Sequence, residues 1–178
     1  MPFETTATRL WRRLAPQERL EAATQFWKEP PAEVAAGALA AIVRARRMRP
    51  QAARALPDEQ KARALAQVLD PGETVAAALV VALHLGVRRP MLSAFLELLG
   101  IPHDDGILKE EAAQLPPPDE ERAEVAVKEL AKRFPAREIE TYLNALWLQD
   151  PIHWRAVADG CEWLPTGATE ATQGPSGS

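Results

Sequence analysis

Sixteen prolines punctuate this chain of 178 residues, and most of them stand where a helical apolar pattern starts or stops. Inside a helix, proline removes a hydrogen bond and clashes with the preceding turn; at the first helical position its missing N–H costs nothing. The segments between the prolines are rich in alanine and leucine, which favour helix, while the β-branched and aromatic residues that suit strands are comparatively scarce. Together these constraints predict an all-α fold of short helices whose ends are set by proline.

Apolar residues at intervals of three and four predict the individual helices. Leu10, Trp11 and Leu14 mark a first short one, Leu20, Ala23 and Trp27 a second from Pro16 to Lys28, and Ala35, Ala38, Leu39 and Ile42 a third from Pro31 to about Arg47. The pair 16–47 reads as an antiparallel hairpin because its link is so short. The same form returns at 57–86 and at 118–149, with similar openings: LAPQERLEAATQFW, ALPDEQKARALAQVL and PPPDEERAEVAVKEL for the first helices, PAEVAAGAL, PGETVAAAL and PAREIETYL for the second. Pro16 to Pro31, Pro57 to Pro71 and Pro118 to Pro135 are 15, 14 and 17 residues apart, and exit prolines 50, 90 and 151 follow 19, 19 and 16 residues later. The unit length resembles that of two-helix HEAT-like solenoids, about 40–47 residues. It is a similarity of period, with no residue signature behind it.

Helix 71–85 is apolar nearly all round, so it is expected at the centre of the fold and covered on every side. Its most apolar stretch, Thr74 to Val87, is 14 residues long and includes His84. A bilayer span takes about 20 residues, so no membrane span is expected. An insertion, 91–115, separates the second and third units: a helix from Met91 to Leu99 capped by Gly100, a turn at IPHDDG, and a further short helix from Ile107 to Leu115. A last helix is expected from about Ile152 to Glu162. The whole reads as one domain over 1–165, a compact array of about ten helices, with a small, polar and disordered tail at 166–178.

Cys161 is the only cysteine, which excludes an intramolecular disulfide and points to a buried structural thiol in a reducing, cytoplasmic setting. The opening residues carry no secretory-signal pattern. Charge is polarised: residues 1–55 hold ten basic and five acidic side chains, residues 56–178 eleven and twenty, and Glu97 to Glu124 alone holds nine acidic and two basic. Such asymmetry suits self-association or the steering of a charged partner.

Chemistry-bearing patterns are sparse. His84, His103 and His153 show no metal-ligand spacing. Of the three, His103 with Asp104 and Asp105 is the best candidate for holding a divalent cation or for acid–base work, against the simpler reading of a solvated turn between Pro102 and Gly106. His84 is expected to be a neutral, hydrogen-bonded core residue. No glycine-rich phosphate loop is present, and no catalytic set, metal or cofactor is expected.

Arg46, Arg47 and Arg49, with Arg44 and Arg54 beside them, form the densest basic run, and Arg88 and Arg89 stand at the equivalent exit of the second hairpin. If the hairpins stack, these arginines share an edge. Trp163, just before Pro165, is the tryptophan most expected at a contact surface. The reading is a non-enzymatic protein–protein interaction module, bound to another protein or to itself, with Arg46, Arg47, Arg49, Arg88, Arg89 and Trp163 as its contact residues. An enzyme or ligand-binding bundle using His103, Asp104 and Asp105 ranks second, and nucleic-acid binding through the arginine edge ranks third.

Overall fold

The computed structural model describes residues 3–110 and 115–164, the side chain of Cys161 excepted. Among these, nine α-helices and one two-stranded hairpin make up the regular structure, so the chain is all-α as its composition dictates. The expectations for 166–178 and for the Cys161 thiol lie outside the described residues.

The helices are α1 (Ala7–Arg13), α2 (Pro16–Phe26), α3 (Ala32–Arg46), α4 (Pro50–Ala55), α5 (Asp58–Ala66), α6 (Glu73–Gly86), α7 (Arg89–Leu98), α8 (Glu120–Leu130) and α9 (Ala136–Gln149). Their starts follow the sequence signals. Pro16 and Pro50 take the first helical turn of α2 and α4, and the Glu18 carboxylate accepts the Ala15 N–H at 2.6 Å. Asp119 caps α8 by accepting the Arg122 N–H at 2.8 Å, which satisfies one of the donors left over at a helix N-terminus.

Three elements depart from the sequence reading. Proline 50 opens α4 rather than only closing α3, because the chain reverses at Arg47, whose φ of 51° is left-handed. The segment expected to start a helix at Ile107 is instead strand β2 (Ile107–Leu108), paired antiparallel with β1 (His103–Asp104). Two left-handed residues in a row, Asp105 and Gly106, turn the chain tightly enough to make this hairpin. After α9 the expected helix 152–162 resolves into turns and two short 3₁₀ segments, Arg155–Val157 and Gly160–Trp163.

The helices enclose two hydrophobic cores. The first draws Trp11, Phe26, Ile42, Leu65 and Leu79 from α1, α2, α3, α5 and α6. The second draws Phe95 and Leu96 from α7, Val127 and Leu130 from α8, and Leu143 from α9, with Trp154 and Val157 beneath. Helix α2 lies against α5 and α6, and α9 against α1 and α6, so each helix packs most closely outside its own expected pair.

Polar groups tie the two cores together. The Arg88 guanidinium pairs with Glu18 of α2, Arg13 with Glu140 of α9 at 2.6 Å, and the buried Asn144 amide bonds both the N–H and the carbonyl of Glu4. Among the described residues no single helix is long and apolar enough to cross a membrane. Helices α6 and α7 reach that length and composition only as a pair, and they meet at 81°.

Helix α6 is central but not enclosed. Val75, Ala76, Leu79, Val80, Leu83 and His84 are buried, whereas Ala77 and Val81 reach the surface. Among the described residues no helix covers Ala77 and Val81 on its outer face, and a cleft lies beside it.

Candidate binding cleft

The cleft lies between α6, α7, α9 and the 103–108 hairpin and holds a cavity of about 260 Å³. Leu85, Leu92, Leu96, Ala145 and Leu146 form its walls, and Trp154 closes one side. Val81, Ile107 and Leu108 stand at its rim, 37%, 48% and 47% exposed. Apolar side chains on a folded surface are ordinary when single; a group of them continuous with a cavity marks a contact site.

The hairpin is held against α7 by its own polar residues. Arg89 donates to the Leu85 carbonyl at 2.6 Å and to Asp105 at 3.1 Å, and His103 Nδ1 accepts the Gly106 N–H at 3.2 Å. Gly106 has a φ of 83°, and a Cβ there would stand 2.9 Å from the Cβ of Leu92. Only glycine lets the turn sit this low on α7.

His103, Asp104 and Asp105 thus build the turn that carries Ile107 and Leu108. Among the described residues no group of three or more His, Cys, Asp or Glu side chains is placed to hold a metal ion. Asp105 pairs with Arg89, and His103 Nδ1 accepts from the turn backbone.

Among the lining residues the exposed Gln149 is polar, as are His84 and Tyr142. Both are buried, with ring centroids 5.4 Å apart. His84 Nδ1 lies 2.8 Å from the Val80 carbonyl, which can only accept, so Nδ1 carries the proton and Nε2 the lone pair. Nε2 is buried without a hydrogen-bond partner among the described residues. Burial, and then the charge of Arg88, push the imidazole down to about 3 against the opposing pull of the Val80 bond. Burial likewise pushes the Tyr142 phenol up from its ordinary value. Near neutral pH the pair is therefore uncharged.

The arginines differ in exposure. Arg46, Arg47 and Arg49 are exposed at the α3–α4 corner, with Arg46 donating to Gln67 at 2.9 Å. Arg88 is only 6% exposed; it points inward onto Glu18, with Glu138 at 3.9 Å. Arg89 is half-buried and committed to Leu85 and Asp105. Trp163 is half-buried against the second core, beside Lys128 and Lys132. The sequence places Arg88 and Arg89 at a hairpin exit, but the direction of the side chains depends on α2 and on the hairpin, which helical periodicity does not locate. The cleft escaped the sequence reading for a related reason: its one sequence signal, a histidine on an otherwise apolar helix, is also that of a core histidine.

No known protein family, curated protein or solved structure matches this chain.

Proposed function

We propose that this chain is a non-enzymatic recognition module that contacts another protein, and that its contact surface is the cleft beside α6. The observation that carries the reading is the cleft itself: an apolar cavity open to the surface, with Val81, Ile107 and Leu108 exposed at its rim. The electrostatics favour binding over chemistry. A general acid or base works best with a pKa near the operating pH, and the His84 imidazole and Tyr142 phenol are displaced from neutrality in opposite directions, which suits holding a hydrogen bond.

The exposed Arg46, Arg47 and Arg49 form a second, smaller candidate surface at the α3–α4 corner. The recurrence of three hairpin-like units belongs to the same proposal: matching prolines and openings support it, and it has to accommodate the packing of α2 against α5 and α6. A single cysteine favours a cytoplasmic setting for such a module.

Co-purification from native lysate tests the reading when wild type is compared with two variants. Ile107→Asp with Leu108→Asp places two charges on the cleft rim, and Arg46→Glu with Arg47→Glu and Arg49→Glu reverses the arginine corner. A partner retained by wild type and by the arginine variant but lost from the rim variant, with the helical circular dichroism of all three alike, is the expected result. Loss from the arginine variant alone would move the contact surface to the corner.

A further inference from the structure

Between Glu33 and Asp58 the chain holds five arginines and no acidic residue. Arg44, Arg46, Arg47, Arg49 and Arg54 are all exposed, and the chain reversal at Arg47 gathers them at the α3–α4 corner. Among the described residues none of the five forms an ion pair. Arg46 donates to the neutral Gln67 side chain and Arg44 to the Asp70 carbonyl at 3.4 Å, while the Asp70 carboxylate is taken by Arg12 at 3.0 Å. Local structure accounts for only part of this charge. Arg44, Arg46 and Arg54 complement the C-terminal ends of α3 and α4, but Arg49 precedes the first turn of α4, where a cation is disfavoured. Arg47 holds a left-handed backbone that glycine or asparagine adopts more readily. Like charges gathered in this way repel one another, so the corner gains by meeting anions.

The same chain carries a complementary surface. Glu97, Glu120 and Glu121 are exposed, and none forms an ion pair among the described residues. Arg122 donates to the Leu99 carbonyl at 2.8 Å, which holds the end of α7, with Glu97, against the first turn of α8, with Glu120 and Glu121. Glu97 lies in the last turn of α7, where an anion is disfavoured, as Arg49 is at its own helix end. The two surfaces belong to different cores, α3 to the first and α7 and α8 to the second. We infer that the arginine corner of one copy of this chain docks on the acidic face of another, a salt-sensitive self-association separate from the cleft beside α6. Guanidinium groups pair with carboxylates through two parallel hydrogen bonds. Nucleic acid is the other polyanion that arginines recognise, and two observations stand against it. No aromatic side chain lies between Val34 and Pro57 to stack a base, and a net charge of −4 works against approach to a phosphate backbone.

Sedimentation velocity of the full chain over a range of concentrations tests the inference. In about 0.01 M salt, where charges act over about 30 Å, the weight-average mass is expected to rise with concentration. In about 1 M salt, where they act over about 3 Å, it is expected to stay at that of one chain. Arg46→Glu with Arg47→Glu and Arg49→Glu is expected to lose the association, and so is Glu97→Lys with Glu120→Lys and Glu121→Lys. The first set moves the net charge from −4 to −10 and the second moves it to +2, so the chain carrying both returns to −4 with the two signs exchanged. That chain is expected to associate again, within about tenfold of the wild-type affinity.

A single-chain mass at every concentration in dilute salt would overturn the inference, as would association that persists in about 1 M salt or in the corner variant. Failure of the exchanged chain to associate, with the helical circular dichroism of wild type, would show that the separate sets acted through net charge and would overturn the pairing. Should a reversed chain fail to fold, Arg46→Gln with Arg47→Gln and Arg49→Gln removes the charge without reversing it and is expected to lose the association; retained association would overturn the role of the corner. Fluorescence anisotropy of a labelled single-stranded oligonucleotide forms the other arm. Wild type is expected to show no saturable binding, and binding that the corner variant loses would assign the corner to phosphates instead.

Discussion

Arg88 forms a buried ion pair with Glu18, joining the α6–α7 turn to the first turn of α2 and so linking the two cores. Glu18 also accepts the Ala15 N–H and lies 3.5 Å from Arg137, so the pair is one corner of a small polar network. Removing one member of a buried pair costs about 3–5 kcal/mol because the other charge stays behind. Since Ala15 and Arg137 still serve Glu18, Arg88→Met is expected at the lower end, about 3 kcal/mol. Arg46→Glu, at an exposed position, is expected to stay within about 0.5 kcal/mol of wild type. Urea unfolding midpoints of the two variants check this, and similar midpoints would mean that Arg88 is not structural.

Glu73 stands in the first turn of α6 yet serves α1. Its carboxylate accepts the N–H groups of Ala7 and Thr8 at 2.6 and 3.1 Å and the Thr8 hydroxyl at 2.9 Å. Partial burial raises its pKa, but these bonds outweigh it and hold the carboxyl below its ordinary value. Glu73→Ala is expected to leave the cores folded and to speed amide exchange across 7–13, because a seven-residue helix has little stability of its own. Unchanged exchange there would show that Thr6 and Trp11 suffice to hold the helix.

The fold class, the helix starts and most of the core were legible in the sequence, because proline and the three-and-four spacing are local signals. Leu79, Leu65 and Val127 fall inward as their periodicity requires. Leu69, four residues past Leu65 and so on the same helical face by spacing, is 51% exposed because α5 ends at Ala66. The open face of α6 was not legible, since composition shows that a helix is apolar but not whether the chain has another element left to cover it. The site was still less so. Nothing local to HDDG says that its next two residues border a cavity; that follows from Gly106 lying against Leu92 of α7.

Acid should weaken the fold through His84. Its folded pKa, about 3, lies below the ordinary value of 6.5, so between those values the unfolded chain binds the extra proton and stability falls as pH falls. The slope for one such group is at most about 1.4 kcal/mol per pH unit. Arg88 and Tyr142 are the groups that face the ring, and neither changes charge in this window. Thermal melts between pH 7 and pH 5 are expected to show a decline in wild type that is smaller in His84→Phe. Parallel curves would mean that His84 is solvated enough to charge in place.

Gly106→Ala should loosen the hairpin. The left-handed backbone disfavours alanine, and the new Cβ meets Leu92 at 2.9 Å. A cost of about 1–3 kcal/mol is expected for strain of this kind. It should appear as faster amide exchange at 103–108 and weaker binding in the cleft, with the second core intact. A variant with wild-type protection across the turn would show that α7 yields to the added methyl.

The most direct measurement is a nuclear magnetic resonance titration of the labelled protein with the partner that co-purifies with it, reading backbone amides. Saturable shifts are expected at 80–85 of α6, at 106–108 of the hairpin and at 142–149 of α9, with none across the arginine corner at 44–54. Shifts concentrated at 44–54, or no saturable shift around the cleft, would contradict the claim that recognition takes place beside α6.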